Sequence, residues 1–577
     1  MPGTRKKTEP TEYQKQLRAY HQASERHVLV TEASLSEDVK RRIFADADRL
    51  RQCGNKLTGI MKRRLEQLTR TKRYRNLRTL YGKTANEISR LEKLEQRSDI
   101  QEQHLKDAKK KQKVYADGML SMQAAYGVTW DACRNEMIKL KDSYGIPSIF
   151  ALSRAEDIWQ AVEKLLYSDG QKLHFKKRGD LPEIRAKQAG RGIIIKVCHD
   201  KASGLDVLVF SYNKQLMTCI CKEKDRWLRD EMDAVIAYLK EPDICDAYAV
   251  SSFTKDGQTV DTYRPCYASI VCKIIRGRLR VFIHLTVEGR PLPKFKNGRP
   301  RHVYGRGVVG IDIGTQSIAY TSDTEVGLEN LAERGESIRH SERLERRLLR
   351  AMDRSRRSTN PDNYNEDGTI RKGRKTWTYS KRYLKLKKRF SELCRINAVN
   401  RKLACREAAH HLRTLGDVIV TEPKNAKKLQ KRAKPEVPLN KNGQHKRRKH
   451  FGRSIKNRCP GYFQACLEQI FTSTGGKYKE VPNDYRASQY DHTADDYIKK
   501  KLSQRMYCLS DGTLVQRDWY SSFLLYCIND DDSGIDRMKC NKLFKDLYKK
   551  EQAMIAAIAC SGKKIMNSGI RACHAAL

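Results

Sequence analysis

The chain has 577 residues, enough for two to four domains that each bury a core. Its 116 Lys and Arg against 69 Asp and Glu leave a formal net charge of +47, a field that holds a polyanion and repels itself without one. No apolar run approaches the ~20 residues of a membrane span, and the start, "MPGTRKKTEPTEYQKQ", has no apolar core of a secretory signal, so a cytoplasmic protein is expected. The 17 cysteines are scattered, odd in number and without a Cys-x-x-Cys pair. Most, such as Cys219, Cys221 and Cys527, sit in apolar runs and read as reduced core residues.

Residues 1–30 read as a basic arm. The string "SLSE" at Ser34 to Glu37 has capping-box spacing, and Ile43, Ala47, Leu50, Leu57, Met61, Leu65 and Leu68 then recur at helical period, which opens a helical region over 31–166. The opposite faces are crowded with Lys and Arg, as in "MKRRLEQLTRTKRYRNLR". Taken singly such a face is a solvated one, whereas several in succession suit a lobe that grips a duplex. Over 167–304 the period changes to two, in "GIIIKVCHD", "LDVLVFSYN" and "SIVCKIIRGRLRVFIHLTVEG", the last turning at Gly277, and a small β-barrel is expected. Its lead-in places His174 and Phe175 beside Lys176, Lys177 and Arg178. That string suits base stacking with phosphate contact or, alternatively, a basic edge strand with a core Phe.

Next comes "GVVGIDIGTQSIAY", an apolar strand that delivers one carboxylate, Asp312, and turns at Gly314 into a second apolar run. An arginine-rich helical stretch with Arg346 and Arg347 follows, then a loop around "TNPDNYNEDG". A second helix starts near Tyr379, with Phe390, Leu393, Ile396 and Leu403 on one face and Lys387, Lys388 and Arg389 among its cations. The strand "VIVTE" then ends on a second lone acid, Glu422. From Pro423 to Arg458 the segment is polar and cation-dense, with Glu436 as its only acid, and reads as a linker rather than a packed element. A helix in "GYFQACLEQIFTSTGG", a strand "KYKEV", a polar insert and "QRDWYSSFLLYCI", with Asp518 as a third lone acid, lead to a basic terminal helix.

A lone acid at the end of an apolar run is usually a cap or a solvated strand end. Three in the order strand-acid, helix, strand-acid, helix-acid match what an RNase H-like sheet supplies to a site that hydrolyses phosphodiesters with two divalent ions. Oxygen ligands favour Mg²⁺ or Mn²⁺. The competing reading of "GIDIGT", a phosphate hairpin of an actin- or sugar-kinase-like ATPase, needs a second glycine-rich phosphate loop, and no such string occurs. A basic protein that only binds RNA or DNA explains the charge but has no use for the three acids.

The stretch from Gly305 to Ile528 resembles the RuvC nuclease region of the TnpB transposon nucleases and of the compact type V CRISPR effectors. "GIDIGTQSIAY", "DVIVTEPKNAKKL" and "QRDWYSSFLLYCI" are similar to the three motifs of that family, which implies Asp312, Glu422 and Asp518 as catalytic residues and as ligands of Mg²⁺ or Mn²⁺. The fold it implies is a bilobed α+β multidomain chain: an arm or start of the wedge over 1–30, a helical recognition lobe over 31–166 and a wedge oligonucleotide-binding β-barrel over 167–304. The RuvC domain would occupy 305–485, a degenerate zinc-ribbon-like insert 486–517, and the third motif with C-terminal helices 518–577. The activity it implies is RNA-guided DNA cleavage in a prokaryotic cytoplasm, one chain per guide RNA, with double-stranded DNA as target. Two departures stand out. Of the family's four zinc cysteines only Cys508 is present, the other positions being Asp491, Ala494 and Asp511, so zinc is not expected even with His492 nearby. The asparagine of the third motif is replaced by Tyr520.

Overall fold

Ser36, and not Ser34, caps the first helix, its side chain accepting from the Val39 amide at 3.4 Å. Ser34 is taken by the preceding strand, β1 (Arg26–Ser34), where it pairs with Thr218, and a residue held in a ladder is not free to cap. This computed structural model describes all residues except 1–14, 16–25, 93, 95–97, 168–169, 171, 188–189, 202, 221–224, 241–263, 290, 335–336, 425, 427–428, 430–451, 483–484, 500–503, 530–533 and 572–577. The chain divides into two units, Met1–Pro293 and Lys294–Leu577.

In the first unit β1 leads into α1 (Glu37–Arg70), α2 (Lys72–Glu92), α3 (Asp99–Ala125), α4 (Trp130–Lys141) and α5 (Ser148–Tyr167). Ile43, Ala47, Leu50, Leu57, Met61 and Leu68 are buried along one face of α1, while Lys56 and Arg63 stay exposed on the other. The strands β2 (Ile184–Arg185), β3 (Ile193–Asp200), β4 (Leu205–Tyr212) and β5 (Gln215–Ile220) precede a helix, α6 (Arg226–Lys240), and the long pair β6 (Arg264–Ile275) and β7 (Arg278–Glu288) complete the sheet. Its order is β2-β6-β7-β1-β5-β4-β3. Positive φ at Asn213 and Lys214, and at Arg276 and Gly277, gives the two-residue turns that match strand twist.

Two expectations are corrected here. The barrel is an open, curled half-barrel with β2 and β3 as its edges. The segment expected to be all strand also contains α6, whose Leu228, Met232, Val235 and Ile236 are buried at helical spacing.

The second unit starts with a short hairpin, β8 (Phe295–Lys296) and β9 (Arg299–Pro300), and then builds β10 (Val308–Ile313), β11 (Ser317–Thr321) and β12 (Val326–Asn330) as an antiparallel meander. A helical hairpin follows, α7 (Ile338–Thr359) and α8 (Lys381–Leu415), tied by Asn397 to Glu345 at 3.0 Å and by Ser355 to Ser380 at 2.8 Å. After it come β13 (Val418–Thr421), α9 (Gly452–Arg458), α10 (Pro460–Ser473) and β14 (Lys477–Glu480). The sheet runs β12-β11-β10-β13-β14, with β13 parallel to both β10 and β14.

The cation-dense linker is thus corrected at its end. Residues 452–458 form α9 because Ile455 and Arg458 are buried, Arg458 donating to the Leu331 carbonyl at 3.0 Å and pairing with Glu333 at 3.2 Å, while 430–451 lie outside the described residues. Two hairpins, β15 (Tyr490–Asp491) with β16 (Asp496–Tyr497) and β17 (Met506–Cys508) with β18 (Leu514–Gln516), precede α11 (Arg517–Tyr526) and α12 (Arg537–Cys560). No described helix is long and apolar enough to cross a membrane.

Side-chain parity in β10 sorts the core of this unit. Val309, Ile311 and Ile313 face Cys405, Ala408 and Leu412 of α8 and Phe463 and Leu467 of α10. The other face carries Ala319 and Val420 against Trp519, Phe523 and Leu524 of α11. Gly310 lies on that second face, where a Cβ would collide with the α11 backbone at Ser522 and Tyr526, so the helix rests directly on the strand.

Candidate active site

Asp312 shares the parity of Gly310 and therefore lies on the side of the sheet covered by α11. The parallel register sets Ile311 beside Thr421, so the next residues, Asp312 and Glu422, are neighbours at the carboxyl ends of β10 and β13. Asp518 comes to the same place from the opposite layer. The Gln516 side chain accepts from the Trp519 amide at 2.7 Å and starts α11 at Arg517, which puts Asp518 in the first turn, where the helix dipole favours an anion.

Glu422 and Asp518 each feel the charge of Asp312. Burial and then the charge of Asp312 raise the Glu422 carboxyl above its ordinary range, against the pull of Lys424, the Ala487 amide and Arg517. Burial and the charge of Asp312 push Asp518 up to about 6, against Arg505, Arg517 and Lys424. Lys424 stands among them, its ammonium 2.5 Å from Asp312 Oδ1 and also bonded to the Ile313 carbonyl. Burial lowers its affinity for a proton, but Asp312, Glu422 and Asp518 together outweigh that and raise it. Arg505 pairs with Asp518 at 3.7 Å and is fixed by its own carbonyl, which accepts from the Arg517 amide at 2.9 Å.

Lys424, Arg505 and Arg517 are not singled out by the sequence, where cations are too common to give contrast. The one signal for Lys424 is its place two residues after Glu422, behind a proline that fixes the chain. Three crowded carboxylates that draw an ammonium into their midst form an all-oxygen donor set suited to a hard divalent cation. With the side chains as they stand, no three His, Cys, Asp or Glu among the described residues are spaced to hold a metal ion.

The insert before α11 is organised around Asp491, which is fully buried at the end of β15. Its carboxylate accepts from the Thr493 amide at 3.1 Å and hydroxyl at 2.7 Å, and from the Ser510 amide at 3.0 Å and hydroxyl at 2.9 Å, which joins the two hairpins. Burial opposes ionisation of Asp491, yet these donors hold its carboxyl below the ordinary range. Beside it His492, also buried, shares a hydrogen bond between Nδ1 and the Tyr520 hydroxyl at 2.7 Å and donates its amide to the same oxygen at 3.2 Å. Asp491, His492 and Tyr520 therefore lie together in one buried region. Cys508 is exposed.

The remaining candidates lie elsewhere. In the first unit His174, Phe175, Lys177 and Arg178 are exposed in irregular chain, so the alternative of an edge strand with a core Phe is not what forms. The Asn55 side chain clamps Lys176 by its carbonyl at 2.8 Å and amide at 2.9 Å, and the Lys62 ammonium lies 5.9 Å from the Phe175 ring centre. In the second unit Arg346 and Arg347 on α7 and Lys387, Lys388 and Arg389 on α8 are exposed on the helical hairpin.

No protein-family profile matches the chain, and no curated protein does. Among solved structures it is similar to the cryo-EM structure of the Cas12f1-sgRNA-target DNA complex, with a TM-score of 0.40 and 10% sequence identity over 88% of this chain and 99% of that one.

Proposed function

We propose that the chain is an RNA-guided DNA endonuclease of the TnpB and compact type V kind, which pairs a guide RNA with target DNA and cuts it at Asp312, Glu422 and Asp518. The observation that carries this reading is the meeting of the three acids, 206 residues apart in sequence from first to last (518 less 312), at one end of β10, β13 and α11. The alternation of β10, α8, β13 and α11 with those acids supports an RNase H-like nuclease domain. The net charge of +47 supports a polyanionic partner.

In this reading the three carboxylates would hold Mg²⁺ or Mn²⁺, which would supply an activated water and charge stabilisation at the leaving oxygen. Water oxygen bonds to phosphorus, the P–O3′ bond breaks, and the departing oxygen takes a proton as a 3′-hydroxyl. The phosphate stays on the 5′ side. Asp312 and Glu422, fixed by adjacent parallel strands, set the plane of the site, and Asp518 closes it from the helix above. One such site would cut the two strands in turn.

Expressing the chain with its native flanking locus and sequencing the copurified RNA tests the guide. A single discrete species is expected; heterogeneous RNA or none removes the guided reading. For cutting, Asp312→Ala should keep RNA and DNA binding and lose roughly 10³-fold or more in cleavage rate, as for several kcal/mol of lost transition-state stabilisation. Cleavage at the wild-type rate would leave only a basic RNA- and DNA-binding protein.

A further inference from the structure

We propose that the α7–α8 hairpin is an arm with a base-stacking platform at its tip, Tyr379 on Tyr383, which takes an unpaired base of the DNA strand bound for the carboxylates. The proposal deepens the nuclease reading above and rests on it for the identity of the strand. Topology sets the direction of the arm. At the C-terminal end of α8, Arg413 donates to the carbonyls of Gly305 at 2.9 Å and Gly416 at 3.1 Å, which precede β10 and β13. Three turns earlier Arg401 reaches Asn457 of α9 at 3.2 Å, and Ser454 of that short helix donates to the Thr315 carbonyl at 3.2 Å, just past the carboxyl end of β10. Residues 381–400 of α8 therefore extend past the acid-bearing end of the sheet by roughly 30 Å, at about 1.5 Å per residue. The first helix of the arm, α7, leaves from the same end, after the Leu331 amide donates to the Gln316 carbonyl at 2.9 Å.

The platform is built before any ligand arrives. The rings of Tyr379 and Tyr383 stack with centres 4.6 Å apart and planes 18° from parallel, and Tyr379 is still 42% exposed. The chain is pinned on both sides of it. Thr378 exchanges two hydrogen bonds with the buried Asn360 side chain, at 2.7 and 2.8 Å. Ser380 caps α8 by accepting from the Tyr383 amide at 3.1 Å and shares a hydrogen bond with the Ser355 hydroxyl at 2.8 Å. An exposed ring held in this way orders little more when a base stacks on it.

Charge names the occupant. The stretch from Arg371 to Arg389 contains ten Lys and Arg and no acid, and the Lys387 ammonium lies 5.8 Å from the Tyr379 ring centre. An aromatic face set among cations fits a base whose own phosphates meet those cations. Bases inside a duplex hide their faces against one another, so the base that fits a single exposed ring is an unpaired one. A strand laid along the arm from Tyr379 runs toward the end of the sheet that carries Asp312 and Glu422.

The test is photo-crosslinking of the full chain, as purified, to single-stranded DNA with 5-iodouracil in place of thymine, a base that joins to an aromatic ring stacked on it, with the joined residue read by mass spectrometry. The expected result is a crosslink at Tyr379 in the wild type and at the same position in Tyr379→Phe. Tyr379→Leu and Tyr379→Met keep Tyr383 covered but offer no aromatic face, and the yield at this peptide should fall roughly 5- to 100-fold in both, the worth of one base stack. Two such variants keep a folding defect in one from deciding the outcome. No crosslink at Tyr379 in the wild type, or an equal yield from a duplex with the same base in its middle, would overturn the platform. A crosslink to RNA of the same sequence and none to DNA would overturn the assignment of the strand. The nuclease reading is decided separately, by the copurified RNA and by Asp312→Ala, and stands if the platform fails.

Discussion

Tyr520 shows how one side chain ties the α11 core to the hairpins before it. Its ring is buried in the α11 core with Trp519 and Phe523, and its hydroxyl is the only polar part, satisfied by both the ring and the amide of His492. Burial holds the His492 imidazole below its ordinary pKa, so it meets Tyr520 neutral near pH 7. Tyr520→Phe keeps the ring and strands those two buried partners, and should cost about 1–3 kcal/mol in denaturant unfolding. The same scale explains which site residues the sequence displays. Asp312, Glu422 and Asp518 are conspicuous because each is a single charge at the edge of an apolar run. Lys424 and Arg505 are invisible among 116 Lys and Arg, and only the folded geometry picks them out.

Between elements, the junction of α11 and α12 depends on Glu551. This fully buried acid of α12 accepts from the Gln516 amide at 2.6 Å, just where α11 begins, and burial pushes its carboxyl up to about 7. An unfolded chain releases that proton near the ordinary value of 4.5, whereas the folded one keeps it until about 7, so stability falls as pH rises across that window. Glu551→Gln retains the acceptor and removes the titration. Its unfolding free energy in denaturant should exceed that of the wild type at pH 8 by up to about 3 kcal/mol, and the gap should close near pH 4.5. An unchanged gap across this range would show that Glu551 is not the source. Elements with a strong period were legible: α1 from its buried stripe, and β10 and β13 as apolar runs. What escaped was set by tertiary context. Ser34 yielded the cap to Ser36 because a strand claimed it, and α6 was hidden by the strands on either side of it.

At the level of the whole chain, a net charge of +47 makes nucleic-acid affinity a counterion-release problem. A footprint of roughly 6–10 phosphates loses about 10³–10⁵ in affinity between about 50 and about 200 mM salt, and filter binding of RNA or DNA should show a slope of that order. A flat salt dependence would mean that the cations are spent within the fold. The carboxylate hub at Asp491 has a practical consequence here. Hydrogen bonds from Thr493 and Ser510 to this carboxylate join the two hairpins, and such bonds do not loosen under a chelator. On the proposed reading EDTA should leave the salt-dependent binding in place while stopping cleavage, so that binding and scission become two steps an experimenter starts separately, the second by adding back magnesium.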